Sequence, residues 1–396
     1  MDASLGVGSL AAVAAVALLA PLVVGLVPGL RVPQVVLLLA GGILIGPQSL
    51  GLGTAGDVQV LADVGLGFVF LLAGYELDPR LLGRDAGRRA IGAWFISLAL
   101  ALGVVAGLAA AGLVRAFVPV ALGLTTTALG TLLPILREAG LLRGRLGPHL
   151  LAAGAVGELF PVLAIAVFLG TQSRFAALIS LGGVGLLAVG LSLATRLVRP
   201  AGRLATVIST GQHETAQITL RGAILLLLLL IAVTGRFHLD AVLGAFLAGV
   251  VLRRWAGATA PALDGKLDAV GYGFFIPVFF VYSGMALDLH AIARAPLRLL
   301  LFFGLMVAVR GLPALVVQRA LSWRERGQVA LVSATALPVL VALTEIGLRD
   351  GTMLRANAAA LVGAGVLTVL LLPALAVALD RSAPTAAQPA GRRAHR

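Results

Sequence analysis

TALGTLLPILREAGL (127–141) and TALPVLVALTEIGL (335–348) are two versions of one segment, matching with a single residue of slippage. Each sets threonine and proline inside an apolar run, with Thr125, Thr126, Thr127, Gly130 and Pro134 in the first and Ser333, Thr335 and Pro338 in the second. Proline removes a backbone donor and β-branched residues crowd the helical ladder, so both copies are expected to break a helix. Working outward, hydropathy windows bounded by Pro, Gly and Arg clusters give thirteen helices, at roughly 5–27, 33–46, 58–77, 90–114, 118–138, 147–170, 175–197, 219–235, 238–253, 268–285, 296–318, 326–348 and 354–379. The first copy falls in the fifth window and the second in the twelfth. An odd offset reverses the direction of travel, so the two halves form an inverted repeat. The fold class that follows is an all-α polytopic membrane protein of about 13 transmembrane helices, built as an inverted repeat with two crossed broken helices.

Composition agrees with a chain solvated mostly by lipid. Of 396 residues, 60% are hydrophobic and 12% charged, whereas soluble chains carry roughly 25% charge. The 50 glycines fit helices that approach closely. With no cysteine, disulfide frameworks and thiolate metal sites are excluded. The net charge of +13 could suggest a nucleic-acid partner, but 22 of the basic residues lie in alternate connections and the tail and only 7 in the opposite set. That asymmetry is topological: it places the N-terminus outside and the C-terminus in the cytoplasm of a multi-pass plasma (inner) membrane protein, with no nucleic-acid partner. The tail, 381–396, is short, basic and Ala/Pro-rich and reads as a disordered cytoplasmic peptide, with no nucleotide domain.

Few polar residues lie inside the spans, and these carry any chemistry. Glu158 sits near the middle of the sixth window, where an uncompensated charge costs on the order of 3 kcal/mol or more. A carboxyl group removed from water favours its neutral form, so Glu158 could hold a proton on one side of the membrane and trade it for a monovalent cation on the other. It could also be a protonated hydrogen-bond donor between helices. Laying AAGAVGE (152–158) on AAALVGA (358–364) sets Glu158 opposite Ala364, so one half alone carries the carboxylate. Thr125, Thr126 and Thr127 are expected to help bind the cation or proton beside Glu158, and Ser333, Thr335 and Pro338 to line the second break, because interrupted helices expose carbonyls and hydroxyls. The alternative is a simple kink whose hydroxyls bond back to the helix.

Arg310 lies inside the eleventh window and needs a partner carboxylate or carbonyl, with Glu158 and then Glu345 as the candidates; otherwise it snorkels toward the cytoplasm. Arginine keeps its proton, so its expected role is charge balance. Asp63 and Glu345 are possible vestibule residues, although Glu345, near the outer end of the twelfth window, mirrors Glu138 at the inner end of the fifth and reads better as a solvated helix end. Glu76 and Asp78 read as interface residues, and the histidines 149, 213, 238, 290 and 395 fall at helix ends, loops or the tail. GLGTAG (51–56) fits a dinucleotide fingerprint but opens no βαβ unit, and His213-Glu214 lacks the second histidine of a zinc-protease motif. Neither a cofactor nor an enzyme follows.

Four further segments carry a family resemblance: VPQVVLLLAGGILIGPQSLG (32–51), LADVGLGFVFLLAGYELDPRLL (61–82), LDAVLGAFLAGVVLR (239–253) and FFIPVFFVYSGMALDL (274–289). Together they resemble the monovalent cation:proton antiporter-2 family, within the sodium/hydrogen exchanger superfamily, over essentially residues 5–379. The resemblance implies a homodimeric, elevator-type transporter with scaffold helices at 1–86 and 201–290, core helices at 87–172 and 291–380, and a linker helix at 173–200. In that family the position before the ion-binding carboxylate is commonly Asp or Asn; here the pair reads Gly157-Glu158. Loss of the first acid implies electroneutral exchange of Na⁺ or K⁺ for H⁺, with Arg310 aligned to the family's basic residue. Two other functions remain open on the residues alone: proton-coupled efflux of an organic solute, and a non-transporting membrane sensor on the same fold.

Overall fold

The computed structural model describes residues 3–26, 32–76, 79–168, 217–236, 241–256 and 260–380, with Gly182, Leu186 and Gly190. In chain order its helices are α1 (Ala3–Leu26), α2 (Gln34–Ile45), α3 (Ala55–Glu76), α4 (Pro79–Gly83), α5 (Asp85–Ala110), α6 (Phe117–Gly123), α7 (Leu129–Glu138), α8 (Leu146–Phe168) and α9 (Ile218–Arg236). There follow α10 (Ala241–Ala256), α11 (Ala260–Val270), α12 (Ile276–Ala286), α13 (Leu289–Arg294), α14 (Pro296–Met306), α15 (Leu312–Val317), α16 (Trp323–Ser333), α17 (Pro338–Arg349) and α18 (Arg355–Asp380). Twelve of the thirteen expected spans coincide with these helices or pairs of them; the seventh, at 175–197, lies outside the described residues apart from Gly182, Leu186 and Gly190, and the tail and Asp78 lie outside them too. Nine described stretches are long and apolar enough to cross a membrane. The other three of the twelve are α2, α10 and the interrupted pair α6–α7.

Packing sorts the helices into two bundles. In the first, α3 packs on α10 and α12, α2 on α12, and α9 on α10. In the second, α18 packs on α14, α16 and α17, α5 on α8 and α15, and α6 on α17. Glycine lets backbones meet at the two tightest crossings of the first bundle. A Cβ at Gly74 or Gly249 would run into the backbone of Phe246 or Leu71 across the α3–α10 contact, and one at Gly42 or Gly284 would do so across α2–α12. Where lipid supplies no hydrophobic drive between helices, such close approach supplies the dispersion energy.

The first bundle is filled by large side chains such as Phe68, Phe70, Phe279 and Phe280. The second has three separate apolar clusters, one around Leu124, Phe302, Leu340 and Leu361, another around Leu132, Leu136, Leu150 and Val329, and a third where Ala90 and Trp94 of α5 meet Val156 of α8. Both helix breaks lie between the first two of these. At the α6–α7 break the chain leaves the helix through a turn at Thr125 and is irregular over Thr126–Ala128, and at the α16–α17 break it is irregular over Thr335–Leu337, with Pro338 starting α17 where its missing N–H is harmless.

Candidate functional site

The two breaks touch. The Ala128 N–H donates to the Thr335 carbonyl at 2.8 Å, and the Thr127 hydroxyl donates to the Ser333 carbonyl at 2.6 Å. Helix α8 crosses the first break at Gly157, whose carbonyl accepts the Thr127 N–H at 2.9 Å. Helix α18 crosses the second at Thr368, whose hydroxyl accepts the Ala336 N–H at 3.1 Å and donates to the Gly365 carbonyl at 2.7 Å. Backbone groups freed by the breaks at membrane depth are thus bonded within protein.

The two halves differ in what faces the second half-helix. In the first, Glu158 presents its carboxylate to the backbone N–H groups of Leu129 and Gly130, the first residues of α7. A helix N-terminus carries partial positive charge, so an anion is stabilised there. In the second, the neutral Thr368 hydroxyl serves and the position matching Glu158 is Ala364. Glu158 is only 9% exposed.

Arg310 is 3% exposed and does not snorkel. Its Nη2 donates to the Thr127 hydroxyl at 2.9 Å and to the Ala153 carbonyl at 3.3 Å, and its Nε to the Thr127 hydroxyl at 3.3 Å. The expected carboxylate partners are therefore corrected: among the described residues Arg310 pairs with neither Glu158 nor Glu345, and the expected alternative, a carbonyl, is what it finds. Gly157 explains the seat, since a Cβ there would meet the guanidinium and the Thr127 hydroxyl. Arg310 lies in a π turn, Val307–Gly311, and a second π turn, Gly271–Phe275, carries Tyr272. Each is followed two residues later by proline, Pro313 or Pro277, which withholds the N–H that the residue four back would accept and leaves a wider turn.

A cavity of about 690 Å³ runs from the ends of α1, α2 and α7, at Val24, Gln34 and Ala139, to Glu158. Its wall includes Glu76, Gly130, Thr131, Tyr272, Pro277, Phe280 and Pro338, so it lies between the bundles. A smaller space of about 150 Å³ adjoins Glu158 and Glu76 and reaches Leu129, Leu133, Ala73 and Phe246.

Several expected site residues stand elsewhere. The hydroxyls of Thr125, Thr126 and Thr335 bond back to Leu122, Gly123 and Leu331. These three, with Thr127 and Ser333, are absent from the cavity wall, whereas Glu158 and Pro338 line it. Asp63 and Glu345 are off that wall too. Arg349 joins them, bonding Asp63 directly and Glu345 at 3.1 Å, while the Tyr282 hydroxyl donates to Glu345 at 3.1 Å. This cluster ties α3 and α12 to α17 at the end of the bundles remote from Gln34. Glu76, read from the sequence as an interface residue, is exposed at the last residue of α3 and in addition lines both spaces beside Glu158. Its acidity next to a helix end gave no hint, because only the opposite bundle makes that position a wall. Tyr272 could have been suspected from the Gly-Tyr-Gly run before Pro277.

Comparison with known proteins gives concordant matches. The family described as "Sodium/hydrogen exchanger, transmembrane" matches residues 14–378. YjbQ of Bacillus subtilis (strain 168) is 26% identical over 367 residues, covering 86% of this chain and 58% of its own. Cation/H(+) antiporter 17 of Arabidopsis thaliana is 30% identical over 305 residues, 71% of this chain and 36% of its own. This chain therefore spans about a third to three-fifths of the length of these two relatives. Among solved structures, the sodium proton antiporter MjNhaP1 from Methanocaldococcus jannaschii superposes with a TM-score of 0.65 at 19% identity, over 94% of this chain and 98% of that one, a likeness of fold.

Proposed function

Because the chain belongs to the sodium/hydrogen exchanger family of multi-pass membrane transporters, we propose that it exchanges Na⁺ or K⁺ for H⁺ across the plasma membrane, electroneutrally and by elevator-type alternating access. Glu158 carries the reading. A carboxylate nine-tenths buried in α8, set against the N-terminus of a half-helix and lining a cavity between two bundles, binds one proton or one cation but not both. Its counterpart is Ala364 and its neighbour is Gly157, so one charge is exchanged for one.

Coupling follows from the cost of moving a bare charge. The bundle holding α5–α8 and α14–α18 slides past the other only when Glu158 is neutralised, since a buried unpaired ion costs several kcal/mol. Arg310 stays charged and hydrogen-bonded to its own bundle, and travels with it. Protons and cations compete for one carboxylate, so the half-saturating cation concentration rises as pH falls. The asymmetry of the basic connections supports a cavity mouth on the cytoplasmic side, with the N-terminus outside and the C-terminus in the cytoplasm.

The test is proton flux in proteoliposomes as Na⁺, K⁺ or Li⁺ is added, for wild type and Glu158→Gln. Wild type moves protons with at least one cation without building a membrane potential, and Glu158→Gln loses the response at least a hundredfold. Flux surviving in Glu158→Gln would reject the assignment. The cavity's volume supports a second reading, proton-coupled efflux of an organic solute, because sites for small organic molecules span about 300–1,000 Å³. Proton flux indifferent to every cation but driven by an organic solute would select it.

A further inference from the structure

We propose that Glu76, with the Tyr272 hydroxyl, forms a second station for the exchanged cation, one that cooperates with Glu158 only while this cavity exists. The inference rests on the antiport reading. Glu76 ends α3 in one bundle, Glu158 is in α8 of the other, and both line the same two spaces. Tyr272 joins them from its π turn, its hydroxyl lying 3.7 Å from where a Cβ of Gly130 would be. Oxygen ligands from carboxylate, phenol and water suit a hard cation.

The rest of the wall leaves Glu76 available for that task. Among the described residues it makes no ion pair, and Arg137 and Arg253 act on it only through space, as do Asp264 and Asp268. The Tyr75 hydroxyl next to it is taken by Asp264, and Arg253 lies over the Tyr75 ring at 5.2 Å. A cation arriving from Gln34 thus meets the Glu76 carboxyl group before reaching Glu158. Once the bundles slide, Glu158 departs and Glu76 stays. Its influence must therefore fall on one face of the membrane.

That asymmetry supplies the test, since a structural residue would alter both faces alike. Half-saturating Na⁺ and K⁺ concentrations are measured in everted and in right-side-out vesicles for wild type, Glu76→Gln, Glu76→Asp and Tyr272→Phe. Glu76→Gln should change the ratio of the two faces at least fivefold, by weakening the cytoplasmic one, with Glu76→Asp restoring most of it and Tyr272→Phe giving a smaller change of the same sign. An equal change at both faces, or none, overturns the proposal. Wild type that exchanges no cation would instead sink the antiport reading. A binding measurement separates the two failures: in detergent, Na⁺ or K⁺ should still raise the melting temperature of Glu158→Gln, and should not do so for Glu76→Gln/Glu158→Gln. Loss of the effect already in Glu158→Gln rejects a second station.

Discussion

A methyl group on residue 157 would occupy the point where the Arg310 guanidinium meets the Thr127 hydroxyl. Gly157→Ala should therefore push the arginine off its seat at about 1–3 kcal/mol, the usual cost of overpacking. Exchange should drop roughly tenfold or more in proteoliposomes while the protein still purifies as a folded species. Arg310→Lys tests the same seat from the other side. An ammonium keeps the charge but cannot reach the Thr127 hydroxyl and the Ala153 carbonyl as a planar fork does, so a similar loss is expected, and unchanged flux would show that charge alone matters. The sequence made Glu158 legible because a lone carboxylate in the middle of a span has few other uses, and it made Gly157 legible as a departure from an acidic pair. It could not say that Arg310 fills the vacated space. Nor could it say which way the threonine hydroxyls turn: beside a broken ladder the carbonyls three residues back compete for them, and at Thr125 and Thr126 they win.

At the scale of elements the repeated segments announced both breaks, and the structure brings them into contact through Ala128 and Thr335. The π turns were not announced, although Pro277 and Pro313 were in view. Proline in a span is compatible with a kink, a helix start or a wide turn, and only the neighbours decide among these. The wide turn inserts an extra residue into the helix and so re-aims Arg310. Pro313→Ala restores the missing N–H and lets the helix close to its regular pitch, turning position 310 away from Thr127. Exchange should fall at least tenfold, while the melting temperature holds or rises because the helical ladder is repaired. A variant that transports normally would mean that the turn persists without its proline.

For the whole molecule the question is what holds the bundles in the arrangement described. At the end remote from Gln34, Arg349 bridges Asp63 on α3 and Glu345 on α17, and Glu345 takes the Tyr282 hydroxyl from α12. These groups are partly exposed, with 40% of the Arg349 and 43% of the Asp63 side chain open to solvent, so the cluster is worth about 1–2 kcal/mol rather than more. That is enough to shift a two-state population fivefold to thirtyfold. The absence of cysteine makes the shift measurable. Ala73→Cys in one bundle and Leu133→Cys in the other put two thiols on the wall of the smaller space beside Glu158. A reversible bis-methanethiosulfonate linker should join them, stop exchange and release it on reduction, because sliding would carry Leu133 away from Ala73. Adding Arg349→Ala should slow the cross-link about fivefold or more by depleting this arrangement. Exchange that continues with the thiols joined would reject bundle sliding, whereas an unchanged cross-linking rate in Arg349→Ala would reject the cluster as the closure.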